Sequence, residues 1–188
     1  MKIFKSILLL CTLVLLSCER DDICAEGTPT TPRLFIEFYD DADPETLKSV
    51  TRLTIYGEGL YDPEDSETEV DPNVFIVNNS NVNAASLPLN IGTEGQPITT
   101  RFIIERDTNL RLDENPETDS NIDILEISYV PQFEYVSRAC GFKSIFTELS
   151  VQIIQDEDNW TSSVNLSPAI IETQTVENEN EVHVFIFH

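Results

Sequence analysis

The sequence predicts an all-β protein, a single antiparallel β-sandwich that is immunoglobulin-like in strand number and turn spacing. Three observations predict it. Apolar and polar residues alternate in short segments, the two-residue period of a half-buried strand. Acidic, Pro- and Asn-rich stretches separate those segments as loops separate strands. No segment carries a sustained helical period. A closed barrel fits the same pattern and stays open as the alternative.

In chain order, Lys2 and Lys5 precede an apolar run over residues 7–16 that only Cys11 and Thr12 interrupt. Such a run is too short to span a bilayer and reads as a secretory leader. It closes on Leu15-Leu16-Ser17-Cys18, which resembles a lipobox. Residues 1–17 are therefore expected to be a lipoprotein signal peptide, with Cys18 as the lipidated residue. Residues 18–32 are a polar tether stiffened by Thr28-Pro29-Thr30-Thr31-Pro32. The sandwich occupies 33–188.

Within it, Leu34, Ile36 and Phe38 share one face of the first strand and Phe35 and Tyr39 the other, the mark of a central strand. Over Val50 to Tyr56, Leu53 and Ile55 alternate with Arg52 and Thr54. Val74 to Val77 is a short apolar run, and in Ile98 to Glu105 the inward set is Ile98, Phe102 and Ile104. Ile122 to Val130 changes parity between Ile124 and Leu125, which predicts a bulge there. Leu149, Val151 and Ile153 mark a further strand. Glu181 to His188 closes the chain, with Val182, Val184 and Ile186 opposite Phe185 and Phe187.

The chain carries 34 acidic residues against 11 lysines and arginines, a formal charge of −23. Loss of the leader would remove two lysines and no acid. That field excludes nucleic acid as a partner and favours a divalent cation or a basic surface. Hydrophobic residues make up 40% of the chain, enough for one domain with a core rather than a disordered tail. Of four cysteines, Cys11 leaves with the leader and Cys18 takes lipid. Cys24 and Cys140 remain, and in an oxidising compartment they are expected to form a disulfide.

Ser17-Cys18-Glu19-Arg20-Asp21-Asp22-Ile23-Cys24, the Pro-rich tether, Tyr135 to Lys143 and Glu181 to Phe187 together resemble an uncharacterised lipoprotein family of Bacteroidota, domain of unknown function 6452. The resemblance implies an outer-membrane lipoprotein, on the periplasmic or cell-surface face, with a membrane partner. It implies no activity. Glu19-Arg20-Asp21-Asp22 also resembles the surface-export signal of such lipoproteins.

The search for chemistry yields little. Any histidine-based triad must use His183 or His188, and no G-x-S-x-G, H-E-x-x-H, phosphate loop or C-x-x-C is present. Carboxylates crowd residues 62–71 and 113–123. Asp113, Glu117 and Asp119 are the candidate calcium ligands, because hard oxygen donors suit that ion, although the segment lacks the glycine of an EF-hand turn. Trp160, the sole tryptophan, is a candidate platform for stacking a sugar, against a commoner role in the core. Arg138 beside Cys140 is a candidate ligand contact. The expectation is a non-enzymatic envelope module that binds an envelope protein. The alternative is a glycan- or peptide-binding module, calcium-assisted or not.

Overall fold

The computed structural model describes residues 23–28, 30–63, 71–113, 115 and 118–188. The expected leader, Cys18, Glu117 and the acids of 64–70 lie outside them.

The described residues build two five-stranded sheets packed face to face, so the sandwich expectation holds and the barrel does not. Their strands are β1 (Leu34–Asp40), β2 (Asp43–Leu47), β3 (Val50–Gly57), β4 (Phe75–Val82), β5 (Ala84–Leu87), β6 (Ile98–Arg106), β7 (Asn121–Ser137), β8 (Gly141–Ile154), β9 (Ser163–Leu166) and β10 (Val184–Phe187). The first sheet runs β2-β1-β10-β9, and the second β4-β3-β6-β7-β8. β5 also pairs with β1, at Leu34 to Glu37, and β2 pairs with it at Tyr39 and Asp40. Both therefore share the side of β1 that β10 leaves free.

One ladder departs from the antiparallel expectation: β1 and β10 are parallel, with Ile36 opposite Val184 and Phe38 opposite Ile186. The chain's first and last described strands thus lie side by side. β1 is central, as its two-sided apolar pattern predicts. Leu34, Ile36 and Phe38 are wholly buried, and Val184, Ile186 and Leu87 join them on the inner face of this sheet. Leu53, Ile55, Phe102, Ile104, Leu125, Ile127 and Phe146 meet them from the second sheet. Each such side chain contributes roughly 1.5 to 3 kcal/mol of burial, which makes this layer the main stabilising element.

The parity change expected in β7 is not a bulge. β6 and β7 keep an unbroken register from Ile98 opposite Tyr129 to Arg106 opposite Asn121. Leu125, Ile127 and Tyr129 alternate inward without interruption, and the residue that continues their parity is Asp123, which is fully buried. Ile122 and Ile124 belong to the other face. The irregularity lies on the opposite strand. Between Ser128 and Val130 the β7–β8 register shifts, and Glu148 adopts a φ of 53°. The extra residue switches the core-facing set of β8 from Ser144 and Phe146 to Leu149 and Ile153.

The outer face of β3 is also covered. A one-turn helix at Thr108–Leu112 lays Thr108 on Thr54, hydroxyl to hydroxyl at 2.8 Å. Arg111 beside it grips the fully buried Glu105, with Nε and Nη2 donating at 2.7 and 3.0 Å to the two carboxylate oxygens. Its guanidinium also lies over the Tyr61 ring, which meets Tyr56 and Phe75 edge to face. Thr54 and Tyr56, outward by parity, are buried for this reason.

β6 ends its pairing at Tyr129, but β7 and β8 continue together to Ser137 opposite Gly141. The result is a two-stranded arm projecting from one end of the sandwich. The 93–96 turn braces its base through Gly95 N–H to the Pro131 carbonyl at 2.9 Å. The tether braces the other side, where Thr31 Oγ1 accepts from Ser144 N–H at 2.9 Å. The arm's turn closes on Gly141, whose φ of 70° favours a residue without a Cβ.

Candidate functional site

At the end of the sandwich from which the arm projects, the sheets part around an open groove of about 930 Å³. Its wall comes from where β3 ends (Gly57, Glu58), where β4 begins (Phe75) and from Thr99 to Phe102 of β6. Arg33 before β1 and Asn90 after β5 face them across it. The site exists because the strands are unequal. β1 and β6 begin here while β3 stops, so the core layer thins and its rim becomes polar.

The rim is held by specific pairs. Arg101 Nε donates to Glu126 at 2.7 Å, and its Nη1 lies 3.6 Å from Glu58. Hydrogen bonding to Glu126 is the main reason the Arg101 guanidinium is held above its ordinary range, and Arg101 in turn pulls the Glu126 carboxyl below its own. Both groups sit at the surface, so this pair fixes geometry more than stability. Thr100 bonds the Tyr129 hydroxyl at 2.8 Å. That hydroxyl accepts from Asn90 N–H at 2.7 Å and donates to the Asn90 carbonyl. Burial raises the Tyr129 phenol, against the opposing pull of Thr100 and the Asn90 backbone. The hydroxyl therefore serves as a neutral clamp on the groove's wall. Arg33 is anchored by its backbone N–H to Glu179 at 2.7 Å and keeps an exposed side chain. Cationic, amide and hydroxyl groups beside Phe75, Leu60 and Phe102 suit a ligand that is part polar and part apolar.

The cysteine expectation is met geometrically: Cys24 and Cys140 lie at a bonded S–S distance of 2.01 Å, spanning 116 residues. The bond ties the tether to the arm's turn. Arg138 lies in that turn, exposed, and forms no ion pair with a described residue. A cleft of about 570 Å³ separates tether from arm and is lined by Ile23, Tyr135 and Arg138, among others. Arg138 and the groove are thus distinct places.

Trp160 is not the exposed ring a sugar platform requires. It is only 7% exposed, stacks near Phe38 with Arg106 over its face, and donates Nε1–H to the Ile104 carbonyl at 3.2 Å. Its loop is held inside by Asp123, which accepts from the backbone N–H groups of Trp160 and Thr161 and from the Thr161 hydroxyl. Asp123 closes the carboxylate-rich 113–123 stretch of the sequence, yet it is fully buried. Its parity with Leu125 and Ile127 is the sequence signal that marks it, whereas Glu105 lies on the outer face of β6 with Arg101 and Ile103 and is buried beneath Arg111.

Asp113 and Asp119 each engage nearby backbone, accepting from Asn115 N–H and Ser120 N–H at 2.9 and 2.8 Å. Among the described residues no three His, Cys, Asp or Glu side chains gather as a metal cluster. The third calcium candidate, Glu117, lies outside those residues. His183 is fully buried just before β10, accepting Phe35 N–H on Nδ1 at 2.8 Å, which fixes the proton on Nε2. His188 follows β10 and packs edge-on against Trp160 and Phe38. The two histidines therefore bracket the strand rather than share a site.

The fold and groove define an all-β sandwich, an architecture that by itself carries no specific activity. The family model described as a family of unknown function (DUF6452) matches residues 52–188, and the chain belongs to that family. No curated protein and no solved structure has significant similarity to it.

Proposed function

We propose that this chain is a non-enzymatic lipoprotein of the bacterial outer membrane, anchored through Cys18, that binds a segment of another envelope protein. The single observation that carries the binding role is the open groove at the arm end, whose volume and mixed lining fit a short stretch of chain. The leader, the Ser17-Cys18 junction and the disulfide support an extracytoplasmic address. The likeness of the tether to Bacteroidota lipoproteins supports the outer membrane.

The test is cross-linking in intact cells followed by recovery of the lipidated protein, with Cys18→Ala, Leu60→Arg and Arg33→Glu as variants. A near-stoichiometric envelope protein lost in all three supports the reading. Recovery of that protein undiminished by Leu60→Arg and Arg33→Glu removes the groove from the account.

A second reading has its own support. About 930 Å³ also falls in the range of small-ligand sites, and Arg33, Asn90 and Thr100 offer the donors and acceptors a glycan or peptide uses. Calorimetry against glycans and short peptides, with and without calcium, separates this reading from the first. Saturable heat that Thr100→Ala diminishes favours the ligand.

A further inference from the structure

We propose that the tip of the β7–β8 arm rests in the headgroup region of a phospholipid bilayer and so holds the domain in one orientation. This rests on the reading that Cys18 is acylated.

Chain length makes the first argument. Cys24 is bonded to Cys140 in the arm's turn and lies six positions after Cys18 in the chain. Six residues reach at most roughly 20 Å in any conformation. A lipid on Cys18 therefore keeps the arm's tip, and no other end of the sandwich, close to the membrane surface. Without the disulfide, the tether from residue 18 to Arg33 would leave the arm free to point elsewhere.

The chemistry of the tip makes the second. Tyr135 and Phe142 pair across the arm with ring centroids 5.5 Å apart, and they remain 60% and 68% exposed. Ile23, next to the bonded Cys24, is 82% exposed. Large apolar side chains left mostly in water at a two-stranded tip gain little burial within the molecule beyond their contact with each other. Tyr and Phe beside a cation are the residues that settle at a membrane–water boundary. The tip's charge fits as well. In a chain of net −23, Lys143 is matched by Glu134 at 2.9 Å, and Arg138 has no acidic partner among the described residues. Arg138 also lines the cleft between tether and arm, where it is available to a lipid phosphate. The net acidic charge of the chain repels headgroup phosphates, and at the tip Arg138 and Lys143 offset that repulsion.

The experiment places an indole at the tip. Phe142→Trp is made in the full chain, produced as a lipoprotein and reconstituted in phosphatidylcholine vesicles with or without bromine on the acyl chains. The wild type supplies the baseline, because its sole tryptophan, Trp160, lies in the core near Asp123 at the opposite end of β7, roughly 40 Å from the tip at about 3.3 Å per residue. The expected result is roughly twofold quenching of the introduced indole by brominated lipid, little change for Trp160, and loss of quenching when Tyr135 and Ile23 are also made Ser. Intact mass reports acylation separately. An acylated chain whose introduced indole stays unquenched overturns the proposal and leaves the anchor standing. So does an indole shielded only in native envelopes and not in pure lipid, which would assign the tip to a protein surface. A chain of unacylated mass overturns the anchor and the proposal with it.

Discussion

Asp123 faces the interior from β7 and accepts the backbone N–H of Thr161 at 2.9 Å, so a strand carboxylate organises the loop that carries Trp160. Its other oxygen takes the Asn159 amide and the Trp160 N–H, at 3.2 and 3.3 Å. The negative charge is spread over four donors without a cation. Asp123→Ala leaves those donors unmatched inside the protein and is expected to cost about 2 to 4 kcal/mol. Asp123→Asn keeps one acceptor but turns an NH₂ toward donors, so it should not restore full stability. Urea titration followed by Trp160 emission checks both, since the loop and the probe move together.

Arg111 and Glu105 form the other buried anchor. Hydrogen bonding to Glu105 leads the causes that hold the Arg111 guanidinium far above its ordinary range. Arg111→Ala leaves the Glu105 carboxylate buried and uncompensated, at an expected cost of about 3 to 5 kcal/mol. The double variant with Glu105→Ala should be less destabilised than the sum of the singles. A double-mutant cycle by chemical denaturation measures that coupling, and strict additivity would contradict it.

Removal of the Cys24–Cys140 bond frees a loop of 116 residues in the unfolded chain. The chain-entropy model places the loss at roughly 4 to 5 kcal/mol. The Cys24→Ser/Cys140→Ser protein should melt lower than the wild type by that equivalent, and added reductant should lower the wild type only. The sandwich itself should persist, because β1 and β10 pair without help from the bond.

Burial lowers the His183 pKa from its ordinary 6.5, against smaller raising contributions from the Asn178 backbone, Glu181 and Glu179. Between that depressed folded value and 6.5 the unfolded chain binds a proton that the folded chain does not. Stability from this group is therefore complete above 6.5 and is lost as pH falls through that window. His188 is also lowered by burial and acts in the same sense. Relief of acidic repulsion opposes both, so the quantity to measure is a difference. Wild type minus His183→Gln, taken by denaturation from about pH 7 to 5, should narrow as pH falls.

The strands with clear alternation were legible from their residues alone: β1, β3, β6 and β7, with β10 nested in the longer segment read at the end of the chain. β2 was not, because Asp43–Leu47 has no buried side. It is a strand only because β1 offers it an edge. β5 and β9, four residues each, are similarly products of pairing with β1 and β10. The first half of β8 went unread since Phe142 and Lys143 break the pattern, and the true bulge, at Glu148, is set by cross-strand register. Among site residues, the pairing of Cys24 with Cys140 was legible as an expectation from the cysteine count, and their geometry agrees with it. The groove could not, because its lining comes from five stretches of chain that only the sandwich brings together.

By itself, then, the sequence determined what depends on local order and composition: the two-residue periodicity, the acidic charge and the number of cysteines. Tertiary structure alone decided which edges met, which carboxylates were drawn inside and where the exposed rings gathered. Asp123 and Asp119 are the same residue four positions apart. One became an interior anchor and the other a surface turn, because burial depends on what the far end of the chain places against each of them.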